Sequence, residues 1–373
     1  MGRLEDTDLY PNMGDTDSVH ATLLGCGFRL GAEGDGMRKP IVVVSLVVAA
    51  VIVATGVVFG VTRPAPVPAA ATPSATASAG PRAFASPNLY LDPNTEAAAA
   101  SKRLEQQGDT GGALIASRIA SRPTAVWLGE WFQGDRLVSE LRNDIADAKT
   151  QQATAVFVAY AIPNRDCGGY SKGGLAADQY LPWIRTIAST LRGSGAVVLL
   201  EPDSLAMLSD AKCDGSAPVR LPLLKSSVGI LESAGVATYL DGGNARWLSP
   251  SAQAAWLKKA GVDKAHGFFT NVSNFDTTMS ERDYAGKLSS KVGWKHYVID
   301  VSRNSNGWTG TWCNPSRAKL GQDPKVTEGD GGKLDALLWV KHPGTSDGTC
   351  NGGPAAGVWW QAGAEALVTG GTP

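Results

Sequence analysis

VVLLEPDSL, residues 197–205, decides how this chain is read. Four apolar residues bounded by Gly195 and Pro202 make a short strand that is apolar on both faces. That is the pattern of a parallel sheet covered by helices. Glu201 and Asp203 then fall where the strand ends. In parallel barrels the chemistry sits at the carboxyl ends of the strands, so an acid at that place is a catalytic candidate. A lone Pro-Asp-Ser would read equally well as a turn or a helix cap. Asp203 is not alone, because three other segments repeat an apolar strand ending in an acid: TAVFVAYAIPNRDC with Asp166, VATYLDGGNARW with Asp241 and LDALLWVKHPGTSDG with Asp347.

Working outward, the pattern predicts strands at 125–128, 153–159, 237–240, 267–271, 296–299 and 334–340 besides the one opening at Val197. Helical periods cover 136–152, 177–192, 221–234, 251–260 and 282–292. Seven strands separated mostly by helices require right-handed crossovers and a parallel sheet. Acids at several strand ends favour a closed or nearly closed α/β barrel over an open doubly wound sheet. No glycine fingerprint for a dinucleotide follows the first strand.

A formal charge of −1 provides no basic stripe for a phosphate backbone, so nucleic acid is not an expected partner. Residues 41–61 carry no charge and are long enough to cross a hydrocarbon core as a helix. Arg38 and Lys39 before this run, with Arg29 upstream and Arg63 after it, favour a cytoplasmic amino terminus. The competing reading is a cleaved signal starting at Met37; the apolar core is long for that, so an uncleaved anchor is preferred. Either way the rest of the chain is exported, at the cell membrane or secreted. The expected organisation is a disordered segment at 1–40, the anchor or signal at 41–61, a Pro/Ala/Ser/Thr spacer at 62–85 and a single catalytic domain at 86–373, acting as a monomer.

Cysteine usage agrees with export. Cys26 falls on the cytoplasmic side, and Cys167, Cys213, Cys313 and Cys350 form an even set outside, where disulfides persist. Three pairings are open. Pairing of sequence neighbours is favoured because each bridge would staple the loop after an acid-bearing strand to a loop nearby. No two of the four lie at the spacing of paired zinc ligands.

Eleven tryptophans are many for this length, and several flank polar strand ends: Trp127 and Trp131, Trp247, and Trp308 with Trp312. Flat apolar rings rimmed by Asp, Asn and Lys suit the faces and hydroxyls of sugars. Carboxylates at strand ends beside such rings suggest glycoside hydrolysis, which needs one protonated acid and a second carboxylate. IPNRDCGGYSKGG, VLLEPDSLA, YLDGGNARW and WVKHPGTSDGTC, in that order, resemble the linked motifs of glycoside hydrolase family 6, the cellobiohydrolases and endoglucanases acting on β-1,4-glucans.

The resemblance implies a distorted seven-stranded parallel barrel, inversion at the anomeric carbon, no metal or other cofactor, and the neighbouring-cysteine pairing. It also implies Asp203 as general acid, with Asp166 close enough to keep it protonated and to take part in a water relay. Asp347 matches the candidate base, held ionised by Lys341 and Arg303. Tyr160 matches the tyrosine beneath the reacting sugar. Trp127, Asp241, Asn244, Trp247, Asn271, Trp312 and Lys341 fall at substrate-contacting positions. Three positions depart from the family pattern: Asn244 replaces a usual His, Thr345 a usual Glu, and Lys172 intrudes beside Ser171. They keep open a non-catalytic or retuned surface polysaccharide-binding protein. The short disulfide-bounded loops predict an open cleft and endo action.

Overall fold

Seven parallel strands are laid side by side in chain order: β1 (Val126–Leu128), β2 (Val156–Ala159), β3 (Val197–Leu200), β4 (Ala237–Asp241), β5 (Gly267–Thr270), β6 (His296–Asp300) and, after a two-residue strand β7 (Lys325–Val326), β8 (Leu334–Leu338). The computed structural model describes residues 82–327 and 332–373. Two helices, α1 (Glu96–Gln106) and α2 (Thr110–Ala120), precede β1; α3 (Gly134–Thr150), α4 (Ala177–Leu191), α5 (Ala217–Ser233), α6 (Pro250–Lys259) and α7 (Thr278–Lys291) run between successive strands, and α8 (Gln361–Thr369) follows β8.

Alternation along each strand builds two cores. Phe157 and Ala159, Val198 and Leu200, and Ile299 face the helices. Val156 and Val158, Val197 and Leu199, and Val298 fill the inside of the curl. Both faces are therefore dry, which is why the strand at Val197 shows no polar alternation. The helices meet the outer core through stripes such as Tyr180, Trp183, Ile184, Ile187 and Leu191 on α4.

The expected barrel is realised as a curled sheet whose first and last parallel strands share no ladder. The cause is β7, which pairs antiparallel with Ala336 and Leu337 and occupies the edge of β8 that would have faced β1. Past the end of β8 the chain reaches across to β1. The Ala125 amide donates to the Trp339 carbonyl at 3.0 Å and the Trp127 indole to Val340 at 2.8 Å.

Three helices lie outside the predicted set. Thr95 caps α1 and Asp109 caps α2, while Gly111 and Gly112 weaken the helical signal of α2; packing of α1, α2 and α8 on one another overrides that. Most of the expected spacer lies outside the described residues. Phe84 is 3% exposed and packs in the inner core against Tyr239, ring centroids 6.4 Å apart. Among the described residues no helix is long and apolar enough to cross a membrane. The expected anchor at 41–61 and the segment at 1–40 lie outside the described residues.

His342 pins the seam. Its Nδ1 meets Glu96 of α1 at 2.8 Å and its Nε2 meets the Ala125 carbonyl at 2.7 Å. Two acceptors facing both ring nitrogens require the doubly protonated imidazolium. Burial works against that charge, but the Glu96 carboxylate and the carbonyl outweigh it, and the His342 pKa is raised. A raised folded-state pKa contributes stability that is complete below the unfolded value of about 6.5 and is lost as pH rises through the folded value. The urea midpoint is therefore expected to fall across that window, and Glu96→Gln to flatten the fall. An equal slope in both proteins would refute the pin.

Candidate active site

Four acids gather where β2, β3 and β4 end. The turn after β3 holds Glu201 at φ 55° and Asp203 at φ 67°, left-handed conformations that cost a non-glycine residue about 1–3 kcal/mol each. The turn is held from several sides. Asp241, the last residue of β4, accepts the amides of Leu205 at 3.1 Å and Ala206 at 3.3 Å through one carboxylate oxygen and that of Gly243 at 2.9 Å through the other. Glu201 is fully buried, and its Oε1 accepts the Ala161 amide and the Tyr180 hydroxyl, each at 2.9 Å. Burial raises the Glu201 pKa to about 7.

After β2, Asp166 at φ 58° and Cys167 at φ 46° make a second strained turn. The Ser171 amide donates to Asp166 Oδ2 at 2.6 Å. A Cβ at Gly169 would stand 2.5 Å from that same oxygen, so a larger residue there would displace the Asp166 carboxylate. Arg165 pairs with Glu130 and lies over the rings of Tyr160 at 4.5 Å and Trp131 at 5.5 Å. Arg220 of α5, 1% exposed, ties the two turns together: it donates to the carbonyls of Asn164 and Ser204 and approaches Cys167 Sγ at 3.2 Å.

Charge decides the protonation of this group. Burial raises the Asp203 pKa most, then the negative charge of Asp241, then that of Asp166, and Arg220 opposes all three. The result lies well above the carboxylate range. The sequence assigns that effect to Asp166; the structure puts burial and Asp241 ahead of it. Asp166 is itself raised by burial against the Ser171 amide and the Arg165 and Arg220 charges. The Tyr160 hydroxyl feels the charges of both Asp203 and Asp166, so the three groups share one locality.

Asp347, in the loop after β8, has the opposite surroundings. Arg303 lies 2.9 Å from its Oδ1 and also donates to Oδ2 at 2.9 Å, Lys341 lies 3.4 Å from Oδ1, and the Asn314 amide donates to Oδ2 at 3.0 Å. Burial pushes this carboxyl up, but the two cations outweigh it and its pKa is lowered. The loops of Asp166 and Asp347 touch. The Tyr170 ring lies against Gly348, where a Cβ would come within 2.4 Å of it, and stands 6.2 Å from the Trp312 ring. Trp127 meets Tyr160 edge-on at 4.9 Å while its indole holds Val340, next to Lys341. Aromatic contacts thus run from the Asp203 turn across the seam to Asp347.

Other expected positions fall differently. Asn271 is fully buried at φ 66°, and its amide is spent on the backbone: Nδ2 donates to Asp276 and Asp300, and Oδ1 accepts the Asp276 amide. It braces the turn after β5. Asp241 is 2% exposed and engaged under the Asp203 turn, so the structure makes it a support of that turn rather than a surface contact. Lys341, expected at the substrate, spends its ammonium on Asp347 and the Ser346 carbonyl at 3.1 Å. Asn244 is 4% exposed and its Oδ1 accepts the Arg246 amide at 3.0 Å. Trp247 and Trp312 are half-buried. Disulfides join Cys167 to Cys213 and Cys313 to Cys350.

Asp300 and Arg220 stand outside the predicted set. Asp300 closes the apolar run HYVID, the same signal carried by the other strand-end acids. Its carboxylate gathers the amides of Ser302 at 2.9 Å, Lys341 at 2.9 Å, Val340 at 3.3 Å and Ser273 at 3.3 Å, fixing the base of the Asp347 loop. Arg220 carries no comparable signal, since one arginine in a helix reads as a surface residue.

Comparison with known proteins agrees with this geometry. The family model described as Glycosyl hydrolases family 6 matches residues 84–371. Endoglucanase A of Cellulomonas fimi is 42% identical over 273 residues, covering 73% of this chain and 59% of that protein. Endoglucanase 1 of Streptomyces halstedii is 36% identical over 302 residues, 76% of this chain and 90% of that protein. The endoglucanase Cel6 of Mycobacterium tuberculosis, solved with a methyl-cellobiosyl-4-deoxy-4-thio-β-D-cellobioside, superposes with a TM-score of 0.71 at 36% identity and covers 78% of this chain and 99% of that one. With its motifs in order, its curled parallel sheet and a family match across the whole described domain, this chain belongs to glycoside hydrolase family 6.

Proposed function

We propose that the chain hydrolyses β-1,4-glucosidic bonds with inversion, as an endo-acting enzyme of the cellulase type. The observation that carries the reading is the opposite tuning of two carboxyl groups on one rim: Asp203 is pushed up by burial and neighbouring acids, while Asp347 is pulled down by Arg303 and Lys341. An inverting glycosidase needs this asymmetry, one carboxylic acid and one carboxylate. Asp203 gives its proton to the glycosidic oxygen as the bond from the anomeric carbon breaks. Water attacks that carbon from the other face. Its proton passes through a relay that includes Asp166 to the ionised carboxylate of Asp347, which acts as the base. Tyr160 lies beneath the reacting sugar; Trp127, Trp247 and Trp312 stack against its neighbours. Relatives named as endoglucanases support endo action. The disulfides support export, and the uncharged run at 41–61 supports a membrane tether.

The test is product analysis on carboxymethylcellulose and mixed-linkage glucan with the purified protein. Wild type is expected to release product with inverted anomeric configuration, and Asp203→Asn to lose about 10²–10⁴-fold in kcat. Binding without release of reducing sugar by wild type would favour the non-catalytic alternative.

Two pH profiles follow. Activity falls at high pH as Asp203 loses its proton, so Asp241→Asn, which removes a neighbouring negative charge, is expected to move the alkaline limb to lower pH. Activity falls at low pH as Asp347 gains a proton, so Lys341→Met, which removes a stabilising cation, is expected to move the acid limb to higher pH. Unmoved limbs in folded variants would refute the assignment.

A further inference from the structure

The amino-terminal ends of the strands, at the other end of the sheet from the acids, carry a second cluster. His266 immediately precedes β5, His296 opens β6, and Asp335 is the second residue of β8. Asp335 is 1% exposed; its Oδ2 lies 3.2 Å from His266 Nε2 and its Oδ1 2.6 Å from His296 Nδ1. One ligand-capable atom from each residue falls within 4.8 Å of the others. Two of the four histidines in the chain therefore converge on one buried carboxylate.

We propose that His266, His296 and Asp335 form a binding site for a divalent cation of the zinc type. Two nitrogens and a carboxylate oxygen are ligands that zinc accepts, and three protein ligands leave a fourth position for water. Donors about 2.0–2.2 Å from a tetrahedral ion stand about 3.3–3.6 Å apart. The 3.2 Å between His266 and Asp335 comes close to that, and the 2.6 Å between His296 and Asp335 would have to open by about 1 Å. His266 Nε2 is buried yet makes no well-aligned hydrogen bond among the described residues. The 3.2 Å contact with Asp335 Oδ2 is therefore close but poorly aligned, and an ion shared by the two atoms would serve both. The Tyr239 hydroxyl donates to Asp335 Oδ2 at 2.6 Å, the outer-shell support that orients a ligating carboxylate. The side chains of His266 and His296, 18% and 32% exposed, leave a path for the ion.

Lys333 works against the ion. Its exposed ammonium lies 3.3 Å from His296 Nε2. An ammonium can only donate, so Nε2 accepts and the ring proton sits on Nδ1, facing Asp335. When the ion takes Nδ1, the proton moves to Nε2 and Lys333 swings away into solvent.

The experiment is titration of untagged, chelator-stripped protein with Zn²⁺ by calorimetry and with Co²⁺ by visible absorption. Expected are one ion per chain, cobalt d–d bands of low coordination number, and a melting temperature that climbs with ion concentration. Tyr239→Phe is expected to weaken binding about ten- to a hundredfold. His266→Gln and His296→Gln should abolish saturable binding, and Lys333→Met should tighten it. The proposal is overturned if wild type shows no saturable one-to-one binding, or if both histidine variants, folded by circular dichroism, bind as wild type does. Neither result bears on glucan hydrolysis, which is read at the other end of the sheet.

Discussion

Everything at the carboxyl rim depends on how negative charge is compensated in a small buried volume. Asp166, Asp203, Asp241 and Glu201 share the ends of three adjacent strands, and Arg220 is the cation that bridges their turns. At an effective dielectric near 20, two like charges about 6 Å apart repel by about 3 kcal/mol, enough to move a pKa by about two units. Not all of these acids can ionise together, and the group with the least compensation keeps a proton. Asp203 has the least compensation, because Arg220 alone opposes its burial and its acidic neighbours, whereas Asp241 and Glu201 are bonded by backbone amides. Across the seam the ratio is reversed, with two cations and an amide on the single carboxylate of Asp347.

The fold sustains this arrangement through the strands themselves. Residues facing the helices and residues facing the inside alternate along the strands, apart from one register shift at Asp335 of β8, and after β2, β3 and β5 the chain turns through left-handed positions at Asp166, Glu201, Asp203 and Asn271. Such turns cost free energy and persist only where neighbours hold them. Asp241 holds the Asp203 turn, Asp300 the Asp347 loop, and Arg220 joins the first two turns. These residues are buried and hold the turns that carry Asp203, Asp166 and Asp347.

The seam between β1 and β8 links architecture to site. β7 denies β8 a full partner, so the curl is joined by single contacts: Ala125 to Trp339, Trp127 to Val340, and His342 to Ala125 and Glu96. One of these, Trp127, is also the ring that meets Tyr160. The joint that replaces a ladder therefore helps to hold the aromatic floor between the two differently tuned carboxyl groups.

The parallel strands, the strand-end acids and the family resemblance were legible in the sequence, because apolar runs of four or five residues and the motifs that end them are local patterns. Cys167 with Cys213 and Cys313 with Cys350 were legible in the same way, once the loops were placed after their strands. Asp300 was legible too, since HYVID repeats the signal of the other acids. Only the tertiary structure decided that Asn271 and Asp241 turn inward to bond backbone amides, that Arg220 bridges two turns, that β7 breaks the closure, and that His266, His296 and Asp335 meet. Each of those facts depends on residues tens of positions apart arriving at one point, and no periodicity along a chain encodes the distance between separate strands.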